Sequence, residues 1–98
     1  MLRFDLHIHS SYSDGQDDVN QILKAAMKKK LDGISITDHD TLEGSFAAQR
    51  LVQEQNLDLI IIPGSEVTTS EGHLLAIGIE DLPPLKKSPE KTIDAIHE

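Results

Sequence analysis

The chain has 98 residues, a length that fits one small domain, and it contains no cysteine, which excludes disulfides and thiolate metal sites. Its 17 acidic residues outnumber its 9 Lys and Arg residues, giving a net charge of -8 at pH 7. This acidity disfavours a nucleic-acid-binding module, because phosphate binding depends on Lys and Arg. The sequence has no apolar run as long as a signal peptide or a membrane span, so we expect a soluble cytoplasmic protein without membrane partners.

The first predicted element is a strand over residues 3–9, where apolar and polar residues alternate. Successive side chains of a strand point to opposite faces, so Asp5, His7 and His9 share one face. Residues 10–15 then combine Ser, Asp and Gly, a composition typical of a turn. The sequence therefore predicts two histidines at the end of a first strand.

Two helices and two further strands follow in alternation. Apolar spacing predicts a helix over residues 19–30 that begins at Asp18 and a second helix over residues 42–55. The residues expected on their inward faces are Val19, Ile22, Leu23, Ala26 and Met27 in the first and Phe46, Ala47 and Leu51 in the second. Runs of β-branched residues predict strands over residues 33–37 and 57–63, and the unbroken isoleucines of the latter favour a parallel strand covered on both faces.

The last third of the chain predicts paired β-strands around a Glu71–Gly72 turn and a helix that begins at Ser88. Alternation of strands and helices implies an α/β fold with mostly parallel strands and right-handed crossovers. A closed eight-unit barrel needs ~250 residues, so three or four units form only part of one. An incomplete barrel leaves an open sheet edge and an uncovered apolar face, and we therefore expect a homo-oligomer.

Residues that can bind metals lie at or just beyond the carboxyl ends of the predicted strands, the edge of a parallel sheet where sites form. These residues are His7, His9, Asp14, His39, Glu66 and His73. Each has a plain structural alternative: a solvated strand face for the first two histidines, a turn for Asp14, a surface carboxylate for Glu66 and an exposed hairpin position for His73. We interpret His97 as solvated and Asp40 as a cap of the second helix.

The spacing of His7 and His9 places their Cβ atoms about 7 Å apart on one strand face, so the two rings can chelate one ion. Asp5 is expected to accept a hydrogen bond from a ring N–H and fix its tautomer, and Asp38, which flanks His39, is a second candidate for such support unless it caps the following helix.

Further residues suit a second ion. Asp14 and His39 offer a carboxylate and an imidazole, and Glu66 can use its two oxygens to bridge ions ~3.5–4 Å apart, the spacing of two-metal hydrolytic sites. This mixed donor set admits Zn, Mn or Fe.

Four segments, DLHIHSSYSDG, ITDHDT, PGSEV and GHLLAIG, resemble in order the first motifs of the polymerase and histidinol phosphatase (PHP) family. The resemblance implies a distorted β/α barrel of about seven strands, with two or three divalent ions at the carboxyl ends of the strands. Carried over residue by residue, it implies one ion held by His7 and His9, a second held by His73, Glu66 as the bridge between them, and a third position formed by Asp14 and His39.

The resemblance also implies phosphoester hydrolysis by metal-activated water. The short run between Glu66 and His73, and Asp rather than His at position 14, resemble stand-alone members that act on nucleotides. We therefore expect a metal-dependent phosphoesterase for a small phosphorylated substrate or nucleotide, with nucleic acid only as an oligonucleotide substrate.

The family continues beyond the matched motifs and supplies further ligands and basic residues there. The chain thus resembles the N-terminal part of a PHP domain, residues 1–98 without the C-terminal part. Activity is expected to need ligands from additional sequence or from another chain. The alternative is a non-catalytic metal-binding or assembly module.

Overall fold

A computed structural model describes residues 1–97, which form five strands and three helices in the predicted order. The elements are β1 (Phe4–Ile8), α1 (Val19–Lys28), β2 (Gly33–Ile36), α2 (Glu43–Gln55), β3 (Ile60–Ile61), β4 (Gly64–Thr69), β5 (Gly72–Ile77) and α3 (Pro89–Ile96). The predicted α/β class is confirmed.

The strands form two sheets. β1, β2 and β3 lie side by side in that order and are parallel, whereas β4 and β5 form an antiparallel hairpin. A single parallel bridge between His39 and Glu66 joins the extension of β2 to β4. This bridge brings the carboxyl end of the parallel sheet against the hairpin.

Helix α1 begins as predicted. The Asp18 side chain accepts a hydrogen bond from the Gln21 backbone N–H, and the Gln21 side chain accepts one from the Asp18 backbone N–H, both at 2.9 Å. The inward face packs Val19, Ile22, Leu23 and Ala26 into the main core with Ile34 and Ile36 of β2. The prediction for Met27 is wrong: its side chain is 37% exposed, because Ala26 already occupies the inward position of that turn and the next residue is rotated by about 100°.

Helix α2 contacts the sheet through small residues. Gly44, Ser45, Ala47 and Ala48 are buried, and Leu51 packs against the same core. Phe46, predicted inward, is 40% exposed. The small residues let the helix backbone approach the sheet closely, which leaves no depth for a phenyl ring on that face.

Strand β3 is shorter and more exposed than predicted. It lies at the edge of the three-stranded sheet, and only Ile61 packs against the main core. Ile60 points to the opposite face and is 54% exposed, so the predicted cover on both faces is absent among the described residues. Leu75 and Ile77 of β5 are also exposed. The predicted self-association relies on such surfaces and stays a prediction.

Within residues 1–97, no helix combines the length and the apolar character needed to cross a membrane.

Two isoleucines of the parallel sheet give a test of this core. Ile34 is fully buried in the main core, which also contains residues of α1 and α2, whereas Ile60 lies on the exposed face. We expect Ile34→Ala to lower the free energy of unfolding by about 2–5 kcal/mol, the cost of a buried cavity. Ile60→Ala, the matched control, should cost less than about 1 kcal/mol. Urea unfolding followed by circular dichroism measures both, and equal losses would contradict the assigned faces.

Candidate metal centre

The first histidine pair is held at the end of β1. His7 is the penultimate residue of the strand and His9 follows its end, so the two rings lie on one face with centroids 5.1 Å apart. The backbone N–H of Thr37 donates to the carbonyl of Ile8 at 2.7 Å, which ties this end of β1 to β2. The alternation of apolar and polar residues along β1 therefore explains why the two imidazole rings lie side by side.

The loop of residues 10–15 folds back over the end of β1. The backbone N–H groups of Ser13 and Gly15 both donate to the carbonyl of Ser10, at 3.1 and 2.9 Å. A Cβ atom on Gly15 would overlap the carbonyl of His9, so this return requires glycine. The tight return places Asp14 beside His9.

The other half of the cluster comes from the extension of β2 and from the hairpin. The backbone N–H of Glu66 donates to the carbonyl of Asp38 at 3.0 Å, and that of Asp40 donates to the carbonyl of Glu66 at 3.1 Å. These bonds fix His39 beside Glu66. On β5, His73 pairs with Thr68, and its ring lies 4.9 Å from that of His39.

Glu66 lies at the centre of the cluster with a side chain only 13% exposed. Its Oε1 lies 2.7 Å from Nε2 of His7 and 3.1 Å from Nε2 of His9. Its Oε2 lies 3.2 Å from Nδ1 of His73 and 3.5 Å from Nδ1 of His39. Each carboxylate oxygen thus faces its own pair of imidazoles.

Asp14 provides a second shared carboxylate at the rim, where its side chain is 61% exposed. Its Oδ1 lies 2.7 Å from Nδ1 of His9, and its Oδ2 lies 3.0 Å from Nε2 of His39. The two rings are in edge contact, with centroids 4.5 Å apart.

Both carboxyl groups favour the ionised form. Burial raises the pKa of Glu66, but hydrogen bonds with His7 and His9 and the charges of His39 and His9 outweigh this effect, so the pKa lies below its ordinary value. Desolvation likewise raises the pKa of Asp14, and the hydrogen bond with His9 together with the histidine charges lowers it by more. The ionised form is the one that binds a cation.

The donor atoms fall into three groups that can each hold an ion, with the atoms of a group all within 4.8 Å of one another. The groups are His7, His9 and Glu66; His9, Asp14 and His39; and His39, Glu66 and His73. All six residues predicted as ligands are therefore brought together, from five separate segments of the chain. Their roles as ligands stay predictions.

Asp5, predicted to support an imidazole, and Asp40, predicted to cap α2, both differ from expectation. Asp5 accepts a hydrogen bond from the backbone N–H of His7 at 3.2 Å rather than from an imidazole. Asp40 does not cap α2; it has φ 55° and accepts hydrogen bonds from the backbone N–H and hydroxyl of Thr68, at 2.6 and 2.5 Å. Both cases share a cause, since the nearest backbone donor satisfies a short carboxylate that a sequence pattern assigns elsewhere. His97 is exposed at the end of α3, as expected.

Asp38 is fully buried and accepts hydrogen bonds from Ser10 and Ser13. Sequence reasoning placed Asp38 beside the ligands but did not identify these serines. The only signal in the sequence is the serine-rich composition of the loop, which equally fits an ordinary turn.

Two curated proteins are similar to this chain in sequence. An uncharacterized protein of Methanocaldococcus jannaschii is 34% identical over 99% of this chain and 62% of its own length. A phosphoribosyl 1,2-cyclic phosphate 1,2-diphosphodiesterase of Eggerthella lenta is 34% identical over 82% of this chain and 32% of its own length. The chain thus spans less than two thirds of either relative.

A solved structure shares the fold. It is a two-domain protein of Bacteroides vulgatus described as containing a predicted PHP-like metal-dependent phosphoesterase, and it superposes with a TM-score of 0.82 at 26% identity. The match covers 98% of this chain and 32% of that one. The sequence also matches the PHP domain family model over residues 5–92, the range that holds all six clustered side chains. The chain belongs to the PHP domain family.

Proposed function

We propose that this cluster is a divalent metal centre that hydrolyses phosphoesters. The observation that carries the proposal is the position of the Glu66 carboxylate, whose two oxygens face two separate pairs of histidines. A carboxylate placed in this way can bridge two ions, the arrangement of two-metal hydrolytic sites. The six proposed ligands are His7, His9, Asp14, His39, Glu66 and His73.

The spacing of the donor atoms fits metal binding. Atoms that coordinate one ion at about 2.1 Å lie roughly 3.0–3.4 Å apart in octahedral or tetrahedral geometry. The nitrogen–oxygen distances within the cluster run from 2.7 to 3.5 Å. Each group also offers three protein donors, and catalytic sites commonly use three and keep an open position for water or substrate.

The surroundings of His9 fit metal binding better than hydrogen bonding alone. Both of its nitrogens lie near carboxylate oxygens, Nδ1 at 2.7 Å from Asp14 and Nε2 at 3.1 Å from Glu66. A neutral imidazole has one N–H, so two such hydrogen bonds require a charged ring. A neutral His9 that binds an ion through one nitrogen keeps the N–H of the other for the carboxylate that faces it, the carboxylate–histidine pairing that orients metal ligands.

A bound divalent ion would supply an activated water and offset the charge of the phosphoryl oxygens. The chain's own residues hold that chemistry in place. Glu66 and the histidines fix the donor positions, and exposure of Asp14 and His73 leaves the rim open to substrate. Imidazole and carboxylate donors suit Zn, Mn or Fe.

We propose a nucleotide-like phosphoester as substrate. Support comes from the motif spacing and from the Eggerthella lenta relative, whose described substrate is a phosphoribosyl cyclic phosphate. We further propose that the βα units form the first part of a PHP-type barrel, since they superpose on about a third of the Bacteroides vulgatus chain. Additional ligands would then come from beyond these elements or from another chain.

Activity distinguishes an enzyme from a non-catalytic module. We expect hydrolysis of bis(p-nitrophenyl) phosphate or p-nitrophenyl phosphate to depend on added Mn²⁺ or Zn²⁺. His7→Ala/His9→Ala should lower the rate by more than about 100-fold, since loss of residues that merely support ligands already costs 10–100-fold. His97→Ala removes an exposed histidine outside the cluster and should keep the rate. Equal, background-level rates for all three proteins would favour the non-catalytic module.

Metal binding should also stabilise the fold. An ion that binds only the folded state at 100 times its Kd adds about 2.7 kcal/mol per site, which a thermal shift with Mn²⁺ detects. Glu66→Gln removes charge and donor capacity from two of the three groups, so we expect most of the shift to disappear. Glu71→Gln, on the exposed β4–β5 turn, is the matched control and should retain it. A full shift in Glu66→Gln would contradict the bridging role.

A further inference from the structure

Asp38 is a buried carboxylate on the extension of β2, directly before His39. Its side chain accepts hydrogen bonds from the backbone N–H of Ser10 at 2.5 Å, the hydroxyl of Ser10 at 2.6 Å and the hydroxyl of Ser13 at 2.9 Å. Both Asp38 and Ser10 are fully buried. A buried charge is tolerated when hydrogen bonds of this kind satisfy it. All three donors belong to the loop of residues 10–15.

That loop carries Asp14, whose side chain is largely exposed and whose carboxylate oxygens contact His9 and His39. Ser13 precedes Asp14 directly, so the bond from the Ser13 hydroxyl to Asp38 fixes the backbone next to it. Since β1 and β2 pair only up to Ile8 and Ile36, strand hydrogen bonds do not reach this loop. The side chain of Asp38 therefore ties the loop that carries Asp14 to the extension of β2.

Helix α2 leaves room for this carboxylate. Gly44 lies in the first turn of α2, and a Cβ atom there would overlap Oδ2 of Asp38 and approach Ser10 Oγ to 3.1 Å. The glycine lets the helix start pass close to the carboxylate. The start of α2 thus packs against both Asp38 and Ser10, the residue of the loop that is bound to it.

The backbone of Asp38 serves the opposite half of the cluster. Its carbonyl accepts hydrogen bonds from the Ser65 hydroxyl at 2.8 Å and from the backbone N–H of Glu66 at 3.0 Å. A change to the side chain leaves this carbonyl in place. The side chain and the backbone of one residue thus hold two different parts of the cluster.

We propose that Asp38 is a positioning residue that sets Asp14 against His9 and His39 and thereby controls one ion position selectively. This inference rests on the proposed metal centre. Without the carboxylate, the buried N–H of Ser10 loses its acceptor, and the loop keeps its internal backbone bonds but loses its tie to the extension of β2. The group of His9, Asp14 and His39 then loses part of its preformed geometry. The group of His7, His9 and Glu66 keeps its backbone support.

The test is a Zn²⁺ titration of the isotope-labelled chain followed by NMR, with the backbone amides of His7 and Asp14 reporting the two groups separately. We expect Asp38→Ala to weaken the Zn²⁺ affinity reported by Asp14 by 10–100-fold, the usual cost of losing a residue that supports a ligand. The affinity reported by His7 should change by less than about threefold. Asp38→Asn retains an oxygen acceptor and should restore most of the loss.

Ser45→Ala provides the control for a purely structural effect. Ser45 is a buried serine of α2 whose hydroxyl donates to the carbonyl of Ile36 at 2.8 Å, so its loss lowers stability without touching the loop. Both Zn²⁺ affinities should stay unchanged in this variant. Where Asp38→Ala does not fold, Ser13→Ala replaces it, and the affinity at Asp14 should still fall several-fold.

Three results overturn the proposal. Equal weakening at His7 and Asp14 would make Asp38 a general stability residue, and an unchanged affinity at Asp14 in folded Asp38→Ala or Ser13→Ala would remove its role in metal binding. A wild-type chain whose His7 and Asp14 amides both ignore Zn²⁺ would instead reject the metal centre itself, and the positioning role with it.

Discussion

The carboxylate of Glu66 is the group on which the whole cluster depends. It is nearly enclosed, it is ionised, and four imidazoles from β1, the extension of β2 and β5 converge on its two oxygens. These histidines come from three separate segments of the chain, and their side chains meet at this carboxylate. Without this carboxylate, neighbouring rings still lie with centroids 4.5–5.1 Å apart, but Asp14 joins just two of the four, those of His9 and His39. The position of Glu66 in the fold therefore determines whether the four histidines form one cluster.

The position of Glu66 is fixed by a few backbone hydrogen bonds at the junction of the two sheets. The parallel sheet ends before it reaches the hairpin, and β4 contacts it through the bridge of His39 and Glu66. The carbonyl of Asp38 and the N–H of Asp40 hold Glu66 from both sides along the chain. Hydroxyl groups of Ser65 and Thr68 reinforce the same junction. A junction built from polar contacts can hold polar ligands without burying them in the apolar core, which lies on the helix side of the sheet.

Much of this could be predicted from the sequence, for reasons that particular residues make clear. Alternation in a strand has a period of two, so His7 and His9 had to share a face, and parallel strands had to bring His39 to the same edge. Phe46 could not be placed correctly, because helical spacing does not reveal that its neighbours are small enough for close approach. The partners of Asp38 and Asp40 were equally hidden. A short carboxylate bonds to whichever donor the folded backbone brings near it, and Ser10 and Thr68 are 28 positions away from those residues.

Charge links the site to the rest of the chain. The protein carries a net charge of -8, and two of its ionised carboxylates, Glu66 and Asp14, lie in this cluster. Among the described residues, neither forms an ion pair with Lys or Arg. The groups that face these two carboxylates are the imidazoles of His7, His9, His39 and His73. A divalent ion would bring positive charge to this position. Because its ligands come together only in the folded chain, metal binding would be coupled to the folding of this edge. The main core is modest, formed by nine buried side chains between two helices and three strands. A second, smaller cluster of Leu42, Val67, Ala76 and Ile79 lies at the hairpin. In a chain with two small apolar clusters, an ion at the junction of the two sheets would add to the stability of the contact between them.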